Sequence, residues 1–299
     1  MRALALDYDS RTLHENNFAD PCLKQEGDVL FRVLEVGVCG TDRALVNFAF
    51  GYPPAGERRL ILGHEALGMV EQSASPRFRA GDLVAPLIRR ACESSCRFCA
   101  TGRRDLCETS AYTERGIMGA HGYFADLAVD HEQDLVAIPA ELRGSAVLLE
   151  PLSVVEKAIR VALRAMEHEP RSAVVLGAGP IGYLSTLALL ARGIAVTVAS
   201  LEPDCPPLRA AGADYRCGNP PHAEIVVEAT GSGQAAFGAI GLLSPGGAAV
   251  ILGAMNTTGE FPFHDLIVGN RKVIGSVNTA PIDFEAAVED LRRFPRSIV

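Results

Sequence analysis

A glycine-rich turn between a buried strand and a helix is the feature that most restricts how this chain can fold. The apolar run 173–176 is followed at once by Gly177-Ala178-Gly179-Pro180-Ile181-Gly182 and an apolar helix over 183–191. A lone G-x-G-x-x-G is weak evidence. With a strand before it, a helix after it and a further strand at 196–199, it predicts a dinucleotide-binding βαβ unit. The glycines permit the tight turn and the close approach of a pyrophosphate to the positive helix N-terminus.

The alternation of strands and helices continues towards the end of the chain. The predicted elements are strands at 225–227, 248–253 and 273–278, and helices at 234–243 and from 284 onward. Before the glycine-rich turn, the apolar period over 154–166 predicts an amphipathic helix whose Lys157 and Arg160 face outward. Alternating strands and helices are typical of a doubly wound parallel sheet. The second half is therefore predicted to be an α/β domain of the Rossmann type.

The first half, residues 1 to about 150, carries short apolar runs broken by Gly, Pro and Asp, which is typical of a β-rich domain. The 299 residues, of which 48% are hydrophobic and 21% charged, suffice for two globular domains. A net charge of -8 argues against a nucleic-acid partner. No apolar stretch approaches a membrane span, and Asp7 comes too early for a signal peptide, so a cytoplasmic protein is expected.

Three polar residues from separate segments of the first half form a candidate metal site. Cys39 closes the strand-like run 29–38, His64 lies in the strand-like run 60–69, and Glu150 ends a third apolar segment. A thiol at the end of a strand is, taken alone, usually a small buried residue. One thiol, one imidazole and one carboxylate are, however, the ligand set of a catalytic zinc with a fourth position open for water or substrate. Together with the dinucleotide motif, they predict a zinc-dependent dehydrogenase.

Four further cysteines lie within sixteen residues, at Cys92, Cys96, Cys99 and Cys107, with the spacing C-x3-C-x2-C-x7-C. The segment around them is polar and has almost nothing from which to build a core. In a reducing compartment such a cluster holds metal more often than disulfides. Four thiolates on a structural zinc would cross-link the segment. The alternative is a set of reduced, oxidation-prone cysteines in an exposed loop.

Several motifs together resemble the zinc-containing medium-chain alcohol dehydrogenases, and within that family the chain is most similar to the glucose (aldose) 1-dehydrogenases. The resemblance covers nearly the whole chain. The motifs that carry it are Val38-Cys39-Gly40-Thr41-Asp42, Leu62-Gly63-His64-Glu65, the cysteine cluster, Glu150-Pro151-Leu152-Ser153-Val154-Val155-Glu156-Lys157-Ala158, and Gly275-Ser276-Val277-Asn278. The Glu-Pro-Leu-Ser-Val-Val-Glu-Lys-Ala run resembles the sugar-dehydrogenase form of the segment that supplies the third zinc ligand.

The resemblance implies an α/β protein with a GroES-like β-barrel catalytic domain over residues 1–153, to which 280–299 would return. A Rossmann domain would occupy 154–279, with zinc and substrate in the cleft between the two. Cys39 and His64 would bind the catalytic zinc. Either Glu150 or Glu65 would complete the shell.

The resemblance also implies roles for individual residues. Thr41 would hydrogen-bond the reacting hydroxyl and start the proton relay, and Asp42 and Glu65 are further expected catalytic residues. Glu114 matches an acidic position that contacts the sugar in these enzymes. The expected reaction transfers hydride from the C1 hydroxyl of glucose or a related aldose to NAD(P) and gives an aldonolactone. The last strand resembles one that such enzymes pair across a dimer, so a homodimer or homotetramer is expected.

The cofactor is expected to contact the second half of the chain. The residues expected to bind it are Gly177, Gly179, Pro180, Ile181, Gly182, Ser200, Glu202, Thr230 and Asn278. Glu202 lies about twenty residues past the glycines, where an acid binds the ribose hydroxyls, whereas alignment by the strand end gives Ser200. The paired arginines of NADP-using sugar dehydrogenases are absent here. Because Glu202 and Asp204 would repel a 2′-phosphate, NAD is expected, with NADP as the alternative.

The chain departs from the glucose-oxidising relatives at two positions. Val268 stands where they carry a His, and Arg89 stands where they carry an Asn of the sugar pocket. One alternative is a polyol or amino-cyclitol dehydrogenase, which would oxidise a secondary alcohol to a ketone with the same zinc and cofactor. Another is a nucleotide-binding protein without catalysis. Its main support is the stop at Val299, tens of residues before such enzymes usually end, and the intact set of zinc ligands argues against it.

Overall fold

The computed structural model describes residues 1–253 and 258–295. The chain divides into two compact units, which are Met1–Glu150 with Ala280–Leu291, and Pro151–Thr279 with the residues from Arg292 onward. Residues 296–299 of the segment expected to return to the first domain lie outside the described residues. In the described parts, no helix combines the length and the apolar character needed to cross a membrane.

The first unit consists mainly of short strands. Its elements in the described residues are β1 (Arg2–Asp7), β2 (Thr12–Asn17), β3 (Asp28–Gly37), α1 (Gly40–Val46), β4 (Arg59–Ile61), β5 (Glu65–Ser73), β6 (Leu83–Pro86), β7 (Glu114–Arg115), β8 (Gly119–Ala120), β9 (Leu127–His131) and β10 (Leu135–Ile138). They form sheets in the orders β2-β1-β4, β10-β6-β5-β3-β9 and β7-β8. The two larger sheets are antiparallel, as expected for strands joined by short connections.

The core of this unit gathers around large side chains from strands, from α1 and from a connecting segment. Phe31, Tyr123, Leu6, Leu45 and Leu60 are fully buried. The rings of Phe31 and Tyr123 have centroids 6.0 Å apart. Burial of each such side chain contributes on the order of 1.5–3 kcal/mol. This packing fixes the positions of β3 and β5. Cys39 follows the end of β3 by two residues, and Glu65 is the first residue of β5, so both lie beside this core.

A buried ion cluster adjoins this core. The Tyr123 hydroxyl donates to Asp130 at 2.6 Å, and the guanidinium groups of Arg90 and Arg115 lie 2.5 Å and 3.3 Å from the same carboxylate. Burial alone would raise the pKa of Asp130, but Arg115 and Arg90 outweigh it and hold that pKa below its usual value. Asp130 is therefore a buried, ionised and fully paired carboxylate.

The apolar run 60–69, predicted as one strand, is two strands in the structure. β4 ends at Ile61, β5 begins at Glu65, and the two belong to different sheets. The break lies at Gly63, whose φ of +86° is in the region that side chains avoid. The prediction was wrong here because an apolar pattern does not reveal a change of backbone direction at a glycine. As a consequence, His64 lies in irregular backbone just before β5.

The second unit contains a six-stranded parallel sheet in the order β13-β12-β11-β14-β15-β16. Its elements in the described residues are β11 (Ser172–Leu176), α3 (Pro180–Ala191), β12 (Ala195–Ser200), α4 (Pro206–Ala210), β13 (Asp214–Cys217), β14 (Ala223–Glu228), α5 (Gly233–Gly241), β15 (Leu243–Ile251), α6 (Phe263–Val268) and β16 (Lys272–Gly275). Two further helices, α2 (Leu149–Ala165) and α7 (Pro281–Arg293), begin in the first unit and end in the second. The predicted doubly wound parallel sheet is confirmed.

The bounds of two predicted strands differ from the structure. β15 begins at Leu243 and includes residues 244–247, whereas the predicted strand began at Ala248. Its pairing with β14 is irregular between Ala223 and Ile225. β16 ends at Gly275, whereas the prediction continued it to 278. Asn278 has a φ of +60°, which does not suit a strand.

The prediction that Lys157 faces outward was wrong. Lys157 is 6% exposed, and its ammonium donates to the carbonyl oxygen of Val277 at 2.8 Å. Its neighbour Glu156 is also buried and pairs with Arg192 at 2.5 Å. Helical periodicity identifies the apolar side of α2, but it does not reveal which segments cover the polar side. Both charges are buried because each has a partner.

Candidate active site

Cys39 is held in place by its position at the start of α1. It is the N-cap residue: the Thr41 N–H donates to its Sγ at 3.3 Å, and its own N–H donates to Oδ2 of Asp42 at 2.9 Å. The arrangement is a capping box in which a thiol replaces the usual hydroxyl. The start of the helix therefore fixes the direction of the Cys39 side chain and buries Asp42 beside it.

His64 reaches Cys39 because three glycines allow close packing of the backbone. A Cβ on Gly116 would lie 2.2 Å from the carbonyl oxygen of Gly63, and a Cβ on Gly122 would lie 2.3 Å from the same atom. No larger residue fits at either position without a shift of the backbone. His64 is 4% exposed, and its Nε2 lies 3.2 Å from Sγ of Cys39.

Glu65 reaches the same place across the β3–β5 ladder. Glu65 is the direct cross-strand partner of Gly37. A Cβ on Gly37 would lie only 2.1 Å from Oε2 of Glu65. The buried Glu65 carboxyl therefore occupies the space left by the missing side chain of Gly37.

The three side chains form a group that fits a metal ion. The candidate ligand atoms of Cys39, His64 and Glu65 all lie within 4.8 Å of one another. Behind the imidazole, Oδ1 of Asp42 lies 3.6 Å from Nδ1 of His64, and neither atom has a hydrogen-bond partner among the described residues. A carboxylate on the far nitrogen is a frequent support of a zinc-binding histidine, because it orients the other nitrogen towards the metal. The donor set suits zinc with three protein ligands.

Burial sets the protonation of this group. Burial raises the pKa of the Cys39 thiol to about 12, and the Glu65 carboxylate adds to the effect. Burial also raises the pKa of Glu65, and the charge of His64 acts in the opposite direction and lowers that pKa. A dication favours the deprotonated thiol and carboxylate, so metal binding here would release protons.

Glu150, the other expected carboxylate ligand, lies in the first turn of α2 and is not a member of the three-residue group. Burial raises the pKa of its carboxyl to about 7, while His64 lowers that pKa and Glu65 and Glu114 raise it.

Glu114, the expected sugar contact, is buried in an ion pair. Nε of Arg89 donates to Oε1 of Glu114 at 2.9 Å. The Arg89 guanidinium also stacks on the ring of Tyr112, with its carbon 3.7 Å from the ring centroid. Nη1 of Arg89 lies 3.5 Å from the carbonyl oxygens of Arg104 and Asp105. Arg89 therefore fixes the orientation of the Glu114 carboxylate.

The cysteine cluster forms a second candidate metal site. The sulfur atoms of Cys92, Cys96, Cys99 and Cys107 all lie within 4.8 Å of one another. Hydrogen bonds from the Ser94 hydroxyl and the Cys96 N–H lower the pKa of Cys92, whereas burial raises that of Cys99. Four converging thiols suit a structural zinc with closed tetrahedral coordination.

The glycine-rich turn has the geometry of a phosphate-binding loop. Gly177 has a φ of +100°, and a Cβ on Gly182 would lie 2.0 Å from the Gly177 carbonyl oxygen, so the turn packs directly on α3. Gly179 is the N-cap of α3 and has open space around its Cβ position. Pro180 and Ile181 form the first turn, where proline costs no hydrogen bond. The N–H groups of this helix start can receive a phosphate.

The structure brings Ser200 and Glu202 together at the end of β12. The Ser200 hydroxyl donates to the Glu202 carboxylate, and this hydrogen bond lowers the pKa of Glu202. Arg209, a cation near in sequence, is paired with Asp204 at 2.5 Å. Carboxylates thus lie near this strand end, and two nearby cations, Arg209 and Arg216, are each paired with an aspartate.

Thr230 and Asn278, the last two expected cofactor residues, lie in different loops of the second unit. Cγ2 of Thr230 lies 3.1 Å from the place that a Cβ on Gly177 would occupy. Thr230 therefore adjoins the glycine-rich turn. Oδ1 of Asn278 accepts from the Thr279 N–H at 2.8 Å, and the preceding residue is held by Lys157.

Sequence reasoning missed two residues that shape these sites. Gly37 was treated as part of a strand, although an isolated glycine in a strand pattern often marks a close approach of another group. Arg89 departs from the sugar-pocket Asn of the relatives, and its pairing with Glu114 has no local signal in the sequence. In the structure, Gly37 leaves space for the Glu65 carboxyl, and Arg89 orients the Glu114 carboxylate.

Comparison with known proteins agrees with this arrangement. The family model for the alcohol dehydrogenase GroES-like domain matches residues 25–140, and the family model for the glucose dehydrogenase C-terminus matches residues 144–299. The glucose 1-dehydrogenase of Methanocella arvoryzae is 40% identical over 298 residues, covering 90% of this chain and 83% of that protein. The glucose 1-dehydrogenase of Thermoproteus tenax is 35% identical over 302 residues, covering 91% and 84%.

Solved structures give the same result. The glucose dehydrogenase of Haloferax mediterranei in complex with NADP, Zn and gluconolactone superposes with a TM-score of 0.89 at 30% identity, covering 100% of this chain and 90% of that chain. The galactitol-1-phosphate dehydrogenase of Escherichia coli, at 20% identity and a TM-score of 0.83, shares the fold. The expected GroES-like and Rossmann domains are thereby confirmed. The chain belongs to the zinc-containing medium-chain alcohol dehydrogenase family, in its glucose 1-dehydrogenase branch.

Proposed function

We propose that this protein catalyses the zinc-dependent oxidation of an aldose at C1, with transfer of hydride to NAD(P) and release of an aldonolactone. The observation that carries the proposal is the convergence of Cys39, His64 and Glu65 within 4.8 Å. The half-buried thiol of Cys39 meets the buried imidazole and carboxylate of the adjacent residues His64 and Glu65, and this donor set suits a catalytic zinc. Relatives named glucose 1-dehydrogenase, at 40% identity and below, support an aldose as the substrate.

Different protein residues would transfer the proton of the reacting hydroxyl and orient the zinc ligands. Bound zinc would supply the Lewis acidity that lowers the pKa of a substrate hydroxyl towards neutrality. Thr41, in the first turn of α1 next to the Cys39 thiol, would accept the hydrogen bond from that hydroxyl and begin the transfer of its proton. Asp42 would hold the His64 imidazole in the ligand orientation. Glu65, whose pKa is raised by burial, could hold a proton or act as a ligand.

The sugar would be oriented by Glu114. A carboxylate accepts hydrogen bonds at both oxygens, and Arg89 engages Oε1. Because the pair is buried, loss of Arg89 would remove the guanidinium that pairs with the Glu114 carboxylate and fixes its orientation. We therefore assign the orientation of the sugar contact to the pair and not to Glu114 alone.

NAD is the cofactor that the residues near Glu202 favour. Glu202 and Asp204 would repel a 2′-phosphate, and Arg209 is engaged by Asp204. The Haloferax mediterranei enzyme was solved with NADP, which supports NADP as the alternative cofactor. The nicotinamide would accept the hydride.

The proposal also includes a cytoplasmic location and assembly as a homodimer or homotetramer. All eight cysteines are unpaired in the structure, which suits a reducing compartment. Light scattering on the purified protein would measure the number of subunits.

Metal content and turnover test the proposed function together. The wild type should contain about two zinc ions per chain, one for each cluster. Cys39→Ser and Cys96→Ser should each lose about one, so the two variants serve as controls for each other. Only Cys39→Ser should abolish NAD(P)-linked turnover of aldoses when both are assayed at a temperature at which they remain folded. Equal turnover in the wild type and Cys39→Ser would refute the catalytic site.

Product analysis decides between the proposed reaction and its alternatives. Oxidation at C1 gives a lactone, which hydrolyses to an aldonic acid, whereas a polyol or amino-cyclitol dehydrogenase gives a ketone. A panel of aldoses and polyols with both cofactors, analysed by NMR, separates these outcomes. A wild-type protein that binds nucleotide but turns over no member of the panel would favour a nucleotide-binding protein without catalysis.

A further inference from the structure

A buried carboxylate at the end of β14 is not used by the proposed chemistry. Glu228 is 0% exposed. Its Oε1 accepts hydrogen bonds from the N–H of Thr230 at 2.7 Å, the hydroxyl of Thr230 at 2.6 Å and the N–H of Gly231 at 3.0 Å. Its Oε2 accepts from the N–H of Gly253 at 3.3 Å. Both carboxylate oxygens therefore accept hydrogen bonds from N–H or hydroxyl groups.

The carboxylate lies where the order of the sheet reverses. From β11 the chain moves outward to β12 and β13, and it then returns to β14 on the other side of β11. Ligands of open α/β sheets bind outside the carboxyl ends of the strands at this switch point. Glu228 is the last residue of β14, and the glycine-rich turn follows β11 directly.

Glu228 joins three segments at this point. Its carboxylate accepts hydrogen bonds from the 229–231 loop and from Gly253, which follows the neighbouring strand β15. A Cβ on Gly253 would lie 2.8 Å from both Cα and N of Gly231, so the two backbones are in close contact. Thr230, fixed by two of the hydrogen bonds, lies against Gly177 of the glycine-rich turn.

We propose that Glu228 is a positioning residue of the dinucleotide site. Its carboxylate hydrogen-bonds both the loop after β14 and the segment after β15, and it holds Thr230 against the glycine-rich turn. This arrangement sets the shape of the surface that the cofactor contacts. The proposal rests on the proposed function, because it assumes that a dinucleotide binds at this turn. It assigns no contact between Glu228 and the cofactor.

Glutamine cannot replace Glu228 in this role. Oε1 accepts hydrogen bonds from the 229–231 loop, while Oε2 accepts one from the N–H of Gly253. An amide has one acceptor oxygen, and its NH₂ group would face an N–H donor on one of the two sides. One loop would therefore lose its hydrogen bond and be displaced.

The same strand offers a matched control. Glu224, near the start of β14, accepts from the N–H groups of Arg171 and Ser172 at 2.6 Å and 3.1 Å. Glu224→Gln removes the same charge from the same strand and also disturbs backbone hydrogen bonds. It does so at the amino end of the sheet, away from the switch point.

The test compares cofactor affinity with stability. Dissociation constants for NADH and NADPH are measured by isothermal titration calorimetry for the wild type, Glu228→Gln, Glu228→Asp and Glu224→Gln, and melting temperatures are measured without cofactor. Glu228→Gln should raise the Kd about tenfold or more, equivalent to about 1.4 kcal/mol. Glu224→Gln should lower the melting temperature comparably but change the Kd less than twofold. In turnover, Glu228→Gln should raise KM for the cofactor more than KM for the sugar.

The outcomes separate this inference from the proposed function. An unchanged Kd in folded Glu228→Gln, with normal binding by the wild type, would overturn the positioning role alone. A wild type that binds neither nucleotide would overturn both. If Glu228→Gln does not fold, Glu228→Asp decides: it keeps the charge but withdraws the oxygens by one methylene. A severalfold rise of its Kd would support the role, and an unchanged Kd would overturn it.

Discussion

The space beside Gly37 gives a quantitative test of the metal site. A Cβ at this position would lie 2.1 Å from Oε2 of Glu65, 3.1 Å from its Cβ and 3.2 Å from its Cδ. Non-bonded carbon and oxygen atoms do not approach closer than about 3 Å, so Gly37→Ala requires the carboxyl to move by about 1 Å. The contacted atom is the end of a flexible side chain, so it can rotate away while the strands stay paired.

Gly37→Ala should therefore reduce function far more than stability. A displacement of about 1 Å in a catalytic group can cost on the order of 100-fold in rate, and disturbed support of a metal ligand typically costs 10–100-fold in metal affinity. We expect kcat/KM for the aldose to fall by about 100-fold. We expect the melting temperature of the metal-free protein to fall by no more than a few degrees. Zinc affinity is measured by competition with a chromophoric chelator, and turnover is measured at saturating zinc.

Gly144→Ala is the matched control. It also adds a methyl group to the first unit, but no atom lies within 4 Å of the new Cβ. It should leave zinc affinity and turnover unchanged. If Gly37→Ala keeps both within twofold of the wild type, the Glu65 carboxyl does not need the space beside Gly37 in the working enzyme, and its inferred place in the metal group is wrong.

Three further substitutions test the charges described above. Asp42→Asn places an amide N–H or carbonyl beside Nδ1 of His64 in place of a carboxylate. Competition with a chelator should then show a 10–100-fold loss of zinc affinity. Unchanged affinity would contradict the supporting role of Asp42. Asp130→Asn removes the buried carboxylate that pairs with the half-buried Arg90 and Arg115, and it should lower the free energy of unfolding by about 3–5 kcal/mol at pH 7. Because the folded pKa of Asp130 lies below its unfolded value of about 3.9, its stabilisation is fully present above that pH and is lost as pH falls through the folded pKa. Urea denaturation followed by circular dichroism should therefore show a smaller difference between wild type and variant at pH 3 than at pH 7, and a constant difference would contradict the assignment. Glu202→Ala removes a carboxylate that would repel a 2′-phosphate, so the ratio of kcat/KM with NADP to that with NAD should rise about tenfold; an unchanged ratio would place cofactor choice elsewhere.

The fold could be predicted because its signals are local. A strand, the glycine-rich turn and a helix follow one another within twenty residues, and each constrains the next. Apolar runs likewise predicted the parallel strands, which are buried on both faces. The errors lie where a local pattern has two structural meanings. Gly63 interrupts a run that reads as one strand, and Lys157 lies on the polar side of a helix but is covered by another segment.

The candidate site was predictable only in its residue types. Cys39, His64 and Glu65 were identified from motifs, but the approach of Glu65 depends on its register with Gly37, which lies 28 positions earlier in the chain. Such a pairing is decided by the turns and packing of the whole sheet. The same limit applies to Arg89 and Glu114, which are 25 positions apart and meet through an isolated bridge.

Both units use carboxylates in a second layer behind the groups that would meet zinc or cofactor. Asp42 lies behind the His64 imidazole, and Glu228 lies behind Thr230. These acids are buried, and their neighbours are nitrogen or hydroxyl groups whose orientation would otherwise be free. Replacing such an acid by its amide changes the volume little but reverses one hydrogen bond, because an N–H takes the place of an acceptor. Amide substitutions should therefore impair binding at each site without opening a cavity, whereas substitution by alanine would confuse lost orientation with lost packing.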